Sequence, residues 1–317
     1  MVPAELSQIA ARVVEAVETA IIGKREAVEL AVAVLLSDGH LLVEDIPGVG
    51  KTTLAKALAR ALGLTFKRIQ FTPDLLPADI TGSSIYNQKT GDFETRPGPV
   101  FANIVLADEI NRTTPKTQAA LLECMEEHQV TIDGTGHRLP APFFVIATQN
   151  NVEMSGTYPL PEAQLDRFAA RLTLGYPDRA AEMRILTDHR KLNPVDSIST
   201  VTSATEILAM LECVRDIHVD EAIQGYILDV VTSTRSMPGV LLGGSPRGSL
   251  DLQHASQARA AMRGRDYVTP DDVKALASAV LSHRMILRPE HRLRGAGSVS
   301  TIADLLAQIP VPVGRGA

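Results

Sequence analysis

Apolar and polar positions follow distinct rhythms along the chain. Leu6, Ile9, Val13, Val17 and Ile21 recur at helical spacing and predict an amphipathic helix over residues 5–20, its apolar face packed on a core. Short apolar runs come next: His40 to Val43, Ile104 to Leu106, FFVIATQN ending at Asn150, and Ala170 to Leu174. Runs of this length, apolar throughout, predict the buried strands of a parallel sheet. After the first of them, Thr53 to Leu62 continues in good helix formers until Gly63 closes the helix. Two stretches alternate instead and predict hairpins. In SIYNQKTGDFETRPGPVF the turn falls near Thr90-Gly91, and in HQVTIDGTGHRLPAP (128–142) Val130 and Ile132 alternate before an Asp133-Gly134 turn. Beyond Tyr176-Pro177-Asp178 the rhythm becomes helical. There Ser203 with Glu206 forms a capping box, and Thr269-Pro270-Asp271-Asp272 opens a helix with a cap, a proline and an acidic first turn. This region ends near Met285. The following RPEHRLRGAG reads as a basic, solvated linker, and Ile302, Leu305 and Leu306 as a last short helix whose partner the pattern does not name.

The joint between the first apolar strand and its helix carries the chemistry. It reads EDIPGVGKTT over residues 44–53. Gly48 and Gly50 let the backbone curl so that N–H groups point inward, Lys51 brings a positive charge toward outer phosphates, and Thr52 offers a hydroxyl to Mg2+. The helix starting near Lys51 adds the positive end of its dipole. The general phosphate-loop pattern wants glycine at position 45, where this chain has Asp45. An ordinary glycine-proline turn before a helix is the alternative for the isolated segment, and the strand–turn–helix order argues against it.

A second signal is ANIVLADEINR, residues 102–112. A central parallel strand ending in Asp108 and Glu109 puts both carboxylates at the carboxyl edge of the sheet, beside the phosphates. Asp108 is then the Mg2+ residue and Glu109 the general base for an attacking water. An Asp-Glu pair by itself is commonly a solvated helix start; its company with the glycine loop favours the catalytic reading.

Together these segments resemble the MoxR-type AAA+ ATPases. The resemblance rests on EDIPGVGKT, on Gly98 to Gly134 (GPVFANIVLADEINRTTPKTQAALLECMEEHQVTIDG), on Ala147 to Phe168 (ATQNNVEMSGTYPLPEAQLDRF) and on Gly243 to Leu250 (GGSPRGSL). Relatives carry glutamate or aspartate where Asp45 stands. They usually have proline where this chain has Asn151. The resemblance implies an αβα P-loop core with a parallel sheet followed by an all-helical lid: core 1–176, lid 177–285, C-terminal tail 286–317. It also implies ATP and Mg2+ as cofactors, with Pro47, Gly48, Val49, Gly50, Lys51, Thr52 and Thr53 around the phosphates. Ile22 and Gly23 resemble the segment lining the adenine pocket, although an inter-helix turn explains them almost as well. Asn150 resembles sensor 1, an amide that orients the attacking water. Arg167 in LDRF resembles an arginine finger reaching into the next subunit's nucleotide, and its permanent charge and planar fork suit phosphate oxygens. Arg247 in GSPRG resembles sensor 2 on the lid, acting on its own or on a neighbour's nucleotide. The first hairpin, together with QFTPDLLPADITG (70–82), resembles the helix-2 insert of this clade. Hairpins of such rings face the pore or pack on a neighbour, and both readings stand.

By resemblance the family forms hexameric rings and couples hydrolysis to remodelling or maturing client proteins, often with von Willebrand A domains. A nucleotide-dependent switch or scaffold and a DNA-acting ring translocase are the other classes consistent with these motifs. Composition narrows the choice. The net charge of -6 and pI near 5.8 argue against a nucleic-acid-bound surface. Cys124 and Cys213 supply no disulfide framework, which suits a reducing, cytoplasmic compartment. The histidines show no paired ligand spacing, and no apolar stretch or basic-apolar leader predicts membrane insertion or export.

Overall fold

A computed structural model describes residues 1–150, 156–188, 194–293 and 297–312. Asn151 and part of the C-terminal tail lie outside the described residues. The chain opens with α1 (Pro3–Glu18) and α2 (Arg25–Leu36), then β1 (Leu41–Glu44), α3 (Lys51–Ala61) and β2 (Phe66–Gln70). A short α4 (Pro77–Thr81) leads into the hairpin β3 (Gly82–Asn87) and β4 (Asp92–Pro97). Then come β5 (Ile104–Asp108), α5 (Pro115–Glu127), the hairpin β6 (Gln129–Ile132) and β7 (Thr135–Arg138), β8 (Phe144–Gln149), α6 (Glu162–Leu165) and β9 (Ala170–Leu172).

The main sheet runs β2-β5-β8-β1-β9, every pair parallel. Alternation along the strands sorts side chains to two faces. Leu41, Val43, Ile104, Leu106 and Ile146 pack with α1, α2 and α3, whereas Leu42, Val105, Ala107, Val145 and Ala147 pack with Leu121, Leu122 and Met125 of α5. This is the expected αβα sandwich. Because the strands are parallel, their carboxyl ends share one edge, which collects the glycine loop, Asp108, Glu109 and Asn150. Both predicted hairpins form, and Asp133 and Gly134 take the positive φ angles (48° and 82°) that a tight turn demands.

The helical region comprises α7 (Arg179–Asp188), α8 (Ala204–Arg215), α9 (Glu221–Ser236), β10 (Val240–Leu242), α10 (Pro246–Met262), α11 (Pro270–Leu281), β11 (Ile286–Leu287), α12 (Pro289–Leu293) and α13 (Ser298–Gln308). Ser203 and Glu206 close the capping box expected of them, the Ser203 N–H donating to the Glu206 carboxylate at 3.0 Å and the Glu206 N–H to Ser203 Oγ at 3.3 Å. Helix α10 packs against α1 and α2 of the core as well as α8, α9 and α11. The last apolar spacing finds its partners here: Ile302 and Leu305 of α13 are buried, and the helix lies on α9 and α11. Among the described residues no helix is long and apolar enough to cross a membrane. The cysteines Cys124 and Cys213 are free and buried, and burial pushes the Cys124 thiol up to about 12.

Candidate active site

The glycine loop between β1 and α3 is open to solvent at Pro47 and Gly48, while Val49 through Thr53 are half-buried. Gly50 stands at the helix N-cap with φ of 98°, a conformation that only glycine adopts without strain. No side chain caps this helix, so the first-turn N–H groups of Lys51, Thr52 and Thr53 have no partner within it. That is the donor set an anion needs. Lys51 Nζ donates to the carbonyls of Asp45 (2.7 Å) and Gln149 (3.4 Å). Burial lowers its pKa against the opposing pull of Asp45, Asp108 and Glu109. Gly23 has a positive φ of 74° and Ile22 is buried. The same turn touches the loop, since a Cβ added at Gly50 would lie 3.5 Å from Ile21 Cδ1.

Asp45, the departure from the general pattern, is a fastener. Its Oδ2 accepts the backbone N–H groups of Leu174 (2.6 Å) and Gly175 (2.7 Å), and its Oδ1 that of Ile46 (2.8 Å). The loop is thereby tied to the segment leaving β9 toward the helical region.

At the end of β5, Thr148 Oγ1 donates to Asp108 Oδ1 at 2.7 Å and accepts the Glu109 N–H at 2.8 Å. One buried hydroxyl thus fixes both acidic residues. Glu109 is held at φ of 59°, an uncommon conformation for a side chain with a Cβ and one associated with active sites. Its Oε2 accepts from Gln70 Nε2 (2.9 Å) and Arg112 Nη1 (3.0 Å). Asp108 Oδ2 accepts from Arg68 through Nε (3.0 Å) and Nη2 (2.6 Å). The β2 residues Arg68 and Gln70 were not singled out in the sequence, though FKRIQ puts two long polar side chains at the end of an otherwise strand-like run. Asn150 follows β8 directly and is buried at the same edge. Uncapped N–H groups, a lysine, a hydroxyl and two carboxylates together fit a nucleoside triphosphate with Mg2+.

Arg167 and Arg247 lie elsewhere. Ala169 donates its N–H to the His40 carbonyl just before β9 pairs with β1, so Arg167 sits at the amino edge of the sheet. Arg247, in the first turn of α10, joins it there. Glu126 at the end of α5 is ion-paired with both, its Oε1 accepting from Arg247 Nη1 at 2.6 Å and its Oε2 lying 3.1 Å from Arg167 Nη2. The three line a pocket of about 270 Å3 with Gly39, His40 and His128. Below it His40 is wholly buried. Its Nδ1 accepts the Val145 N–H (3.1 Å) and its Nε2 donates to the Met125 carbonyl (3.0 Å), a pattern only the neutral ring can satisfy. Burial lowers its pKa to about 4.

A family model described as the ATPase family associated with various cellular activities (AAA) matches residues 40–170, and an AAA lid domain model matches residues 232–305. The uncharacterised protein YeaC of Bacillus subtilis is 50% identical over 313 residues, covering 99% of this chain and 98% of its own. Chaperone MoxR1 of Mycobacterium tuberculosis is 43% identical over 285 residues, 87% of this chain and 75% of its own. The crystal structure of a candidate ATPase from Cytophaga hutchinsonii superposes with a TM-score of 0.91 at 36% identity, covering 98% of this chain and 97% of that one. With an AAA model matching the sheet that carries the glycine loop and the acidic strand end, a lid model matching the helical region, and these relatives covering most of its length, the chain is an ATPase and belongs to the MoxR family of chaperone-like AAA+ proteins.

Proposed function

We propose that this chain works as a subunit of a ring, hexameric by family resemblance, in which ATP hydrolysis drives remodelling or maturation of client proteins in the cytoplasm. Core 1–176 and lid 177–285 are its working parts, with 286–317 as the C-terminal extension. The observation that carries the reading is the separation of Arg167 and Arg247 from the phosphate loop and its two carboxylates. Lys51, Asp108, Glu109 and Asn150 share the carboxyl edge of the sheet, whereas Arg167 and Arg247 share its amino edge. A four-residue strand such as β1 spans roughly 13 Å, too far for either arginine to reach its own phosphates. Both arginines then serve the nucleotide of a neighbouring subunit.

Within one site, the N–H groups of Gly48 to Thr52 and the Lys51 ammonium bind and orient the triphosphate. Thr52 and Asp108 would hold Mg2+, which supplies neutralising charge at the phosphates. Glu109 takes the proton of the attacking water, and Gln70 and Arg112 hold its carboxylate in place. Asn150 orients that water. Ile22 and Gly23 border the base. Arg167 of the adjoining subunit stabilises charge on the transferred phosphoryl group, the role worth about 10³- to 10⁵-fold where fingers act.

The client side of the reading is supported by the β3–β4 hairpin, which exposes Ile85, Tyr86 and Phe93, the two rings 5.4 Å apart. Such a tip is covered by a client or by a neighbour. Proteins with von Willebrand A domains are the client class we propose.

The test uses differently tagged Arg167→Ala and Lys51→Ala subunits, purified in tandem so that only mixed assemblies are assayed. Each variant alone should be nearly inactive. A mixed assembly places an intact loop beside a subunit that still offers Arg167, and turnover should reappear. Mixed assemblies that form and stay inactive would refute action across the interface.

A further inference from the structure

Two cations converging on one carboxylate need an explanation that stability does not provide. Arg167, Glu126 and Arg247 are 32%, 39% and 37% exposed, so solvent screens the pairs and their contribution to folding is small. The site is also unfavourable for an acid. Glu126 lies in the last turn of α5, where the helix dipole opposes negative charge. Without it the two guanidinium groups would repel each other and splay into solvent. With it, each spends one nitrogen on a different oxygen of the same carboxylate and keeps the rest of its fork for another anion.

A second tie fixes the same pair through the backbone. Ser245 caps α10, accepting the Gly248 N–H at 3.3 Å, and its hydroxyl donates to the carboxylate of Asp166 at 2.9 Å. The residue before Arg167 is therefore joined to a residue two before Arg247. The two arginines are bound to each other once through their chain segments and once through Glu126.

Building on the reading of Arg167 as a finger acting across the subunit interface, we propose that Glu126 is a positioning residue that sets Arg167 and Arg247 as one bidentate clamp for the phosphates of the neighbouring subunit. It touches no nucleotide itself. Its loss leaves the P-loop of its own subunit intact and disables the site next door.

The experiment measures ATP turnover of Glu126→Ala and of Glu126→Gln, which keeps the shape and removes the charge. Misplacement of a charge-stabilising group by about 1 Å costs on the order of 10²-fold, so kcat should fall about 10- to 100-fold with KM for ATP within about twofold of wild type. Each variant is then co-purified with tagged Lys51→Ala, beside the Arg167→Ala and Lys51→Ala mixture. Turnover of the Glu126 mixtures above either parent supports the proposal, since the rebuilt site uses the loop of the Glu126 variant and the clamp of its partner. A defect confined to folding would not be rescued this way. If the Arg167 mixture recovers and the Glu126 mixtures do not, or if both Glu126 variants turn over at the wild-type rate, the proposal is overturned and the finger reading survives. If the Arg167 mixture also fails, both fall.

Discussion

Replacing Asp45 with glycine would give this chain the residue that the general phosphate-loop pattern asks for, and the structure predicts damage. Three backbone N–H groups lose their acceptor; two of them, on Leu174 and Gly175, are far away in sequence. Hydrogen bonds to a charged group are worth about 1.5–3 kcal/mol each, so losing the two long-range bonds costs roughly 3–6 kcal/mol. Added freedom of the unfolded chain at glycine costs a further ~0.5–1 kcal/mol. Part of this returns through water at Gly175, which is only half-buried, so about 3 kcal/mol is the expectation. At about 2–4 °C per kcal/mol, Asp45→Gly should melt roughly 6 °C or more below wild type in calorimetry without nucleotide. ATP affinity should weaken as well, because Lys51 is anchored on the carbonyl of this residue. Asp45→Asn keeps one acceptor oxygen and should fall between. An Asp45→Gly protein melting within about 2 °C of wild type would show that the fastener does not hold the loop.

Other outcomes follow from the same geometry. Lys51→Ala should abolish binding of a fluorescent ATP analogue, whereas Glu109→Gln should bind it normally and stop turnover, since the glutamate acts only on the water; wild-type hydrolysis by Glu109→Gln would remove it as the base. Acidification should destabilise the fold through His40. Its folded pKa near 4 lies below the unfolded value of about 6.5, so the unfolded state binds more protons between these limits and stability falls as pH drops through that window. The loss between pH 7 and 5 is ~2 kcal/mol by linkage, and His40→Gln should show a shallower decline in melting temperature; parallel declines would refute the assignment.

Much of this architecture was legible because its chemistry is local. The glycine loop, the apolar strand ending in Asp108 and Glu109, the Asp133-Gly134 turn and the Ser203–Glu206 cap are each contained within a few residues, where spacing and backbone preference determine the outcome. What escaped depends on chain crossings. Arg68 and Gln70 look like the solvent face of a strand until β2 pairs with β5 and brings them against Asp108 and Glu109. Glu126 is one of several acids in ECMEE, and only the fold shows that it faces two arginines. Asp45 was visible as an oddity, but two of the N–H groups it accepts, on Leu174 and Gly175, lie beyond β9. The partner of α13 was likewise invisible, because an apolar stripe records that something covers it without recording what.

The buried guanidinium of Arg284 constrains how such a subunit can deform. Its side chain is 1% exposed, and it donates to Asp166 Oδ1 (2.8 Å), the carbonyls of Asp166 (3.0 Å), Phe168 (2.8 Å), Ala169 (3.3 Å) and Val280 (2.7 Å), and the carboxylate of Asp251 on α10. Prising these apart would strand a charge in the interior, a penalty of about 3–5 kcal/mol. A hinge between α10 and the segment before β9 that carries Arg167 is therefore costly to open. Through this one side chain α10, α11 and the segment that carries Arg167 are coupled like the arms of a crank, so a shift of one is resisted unless the others follow.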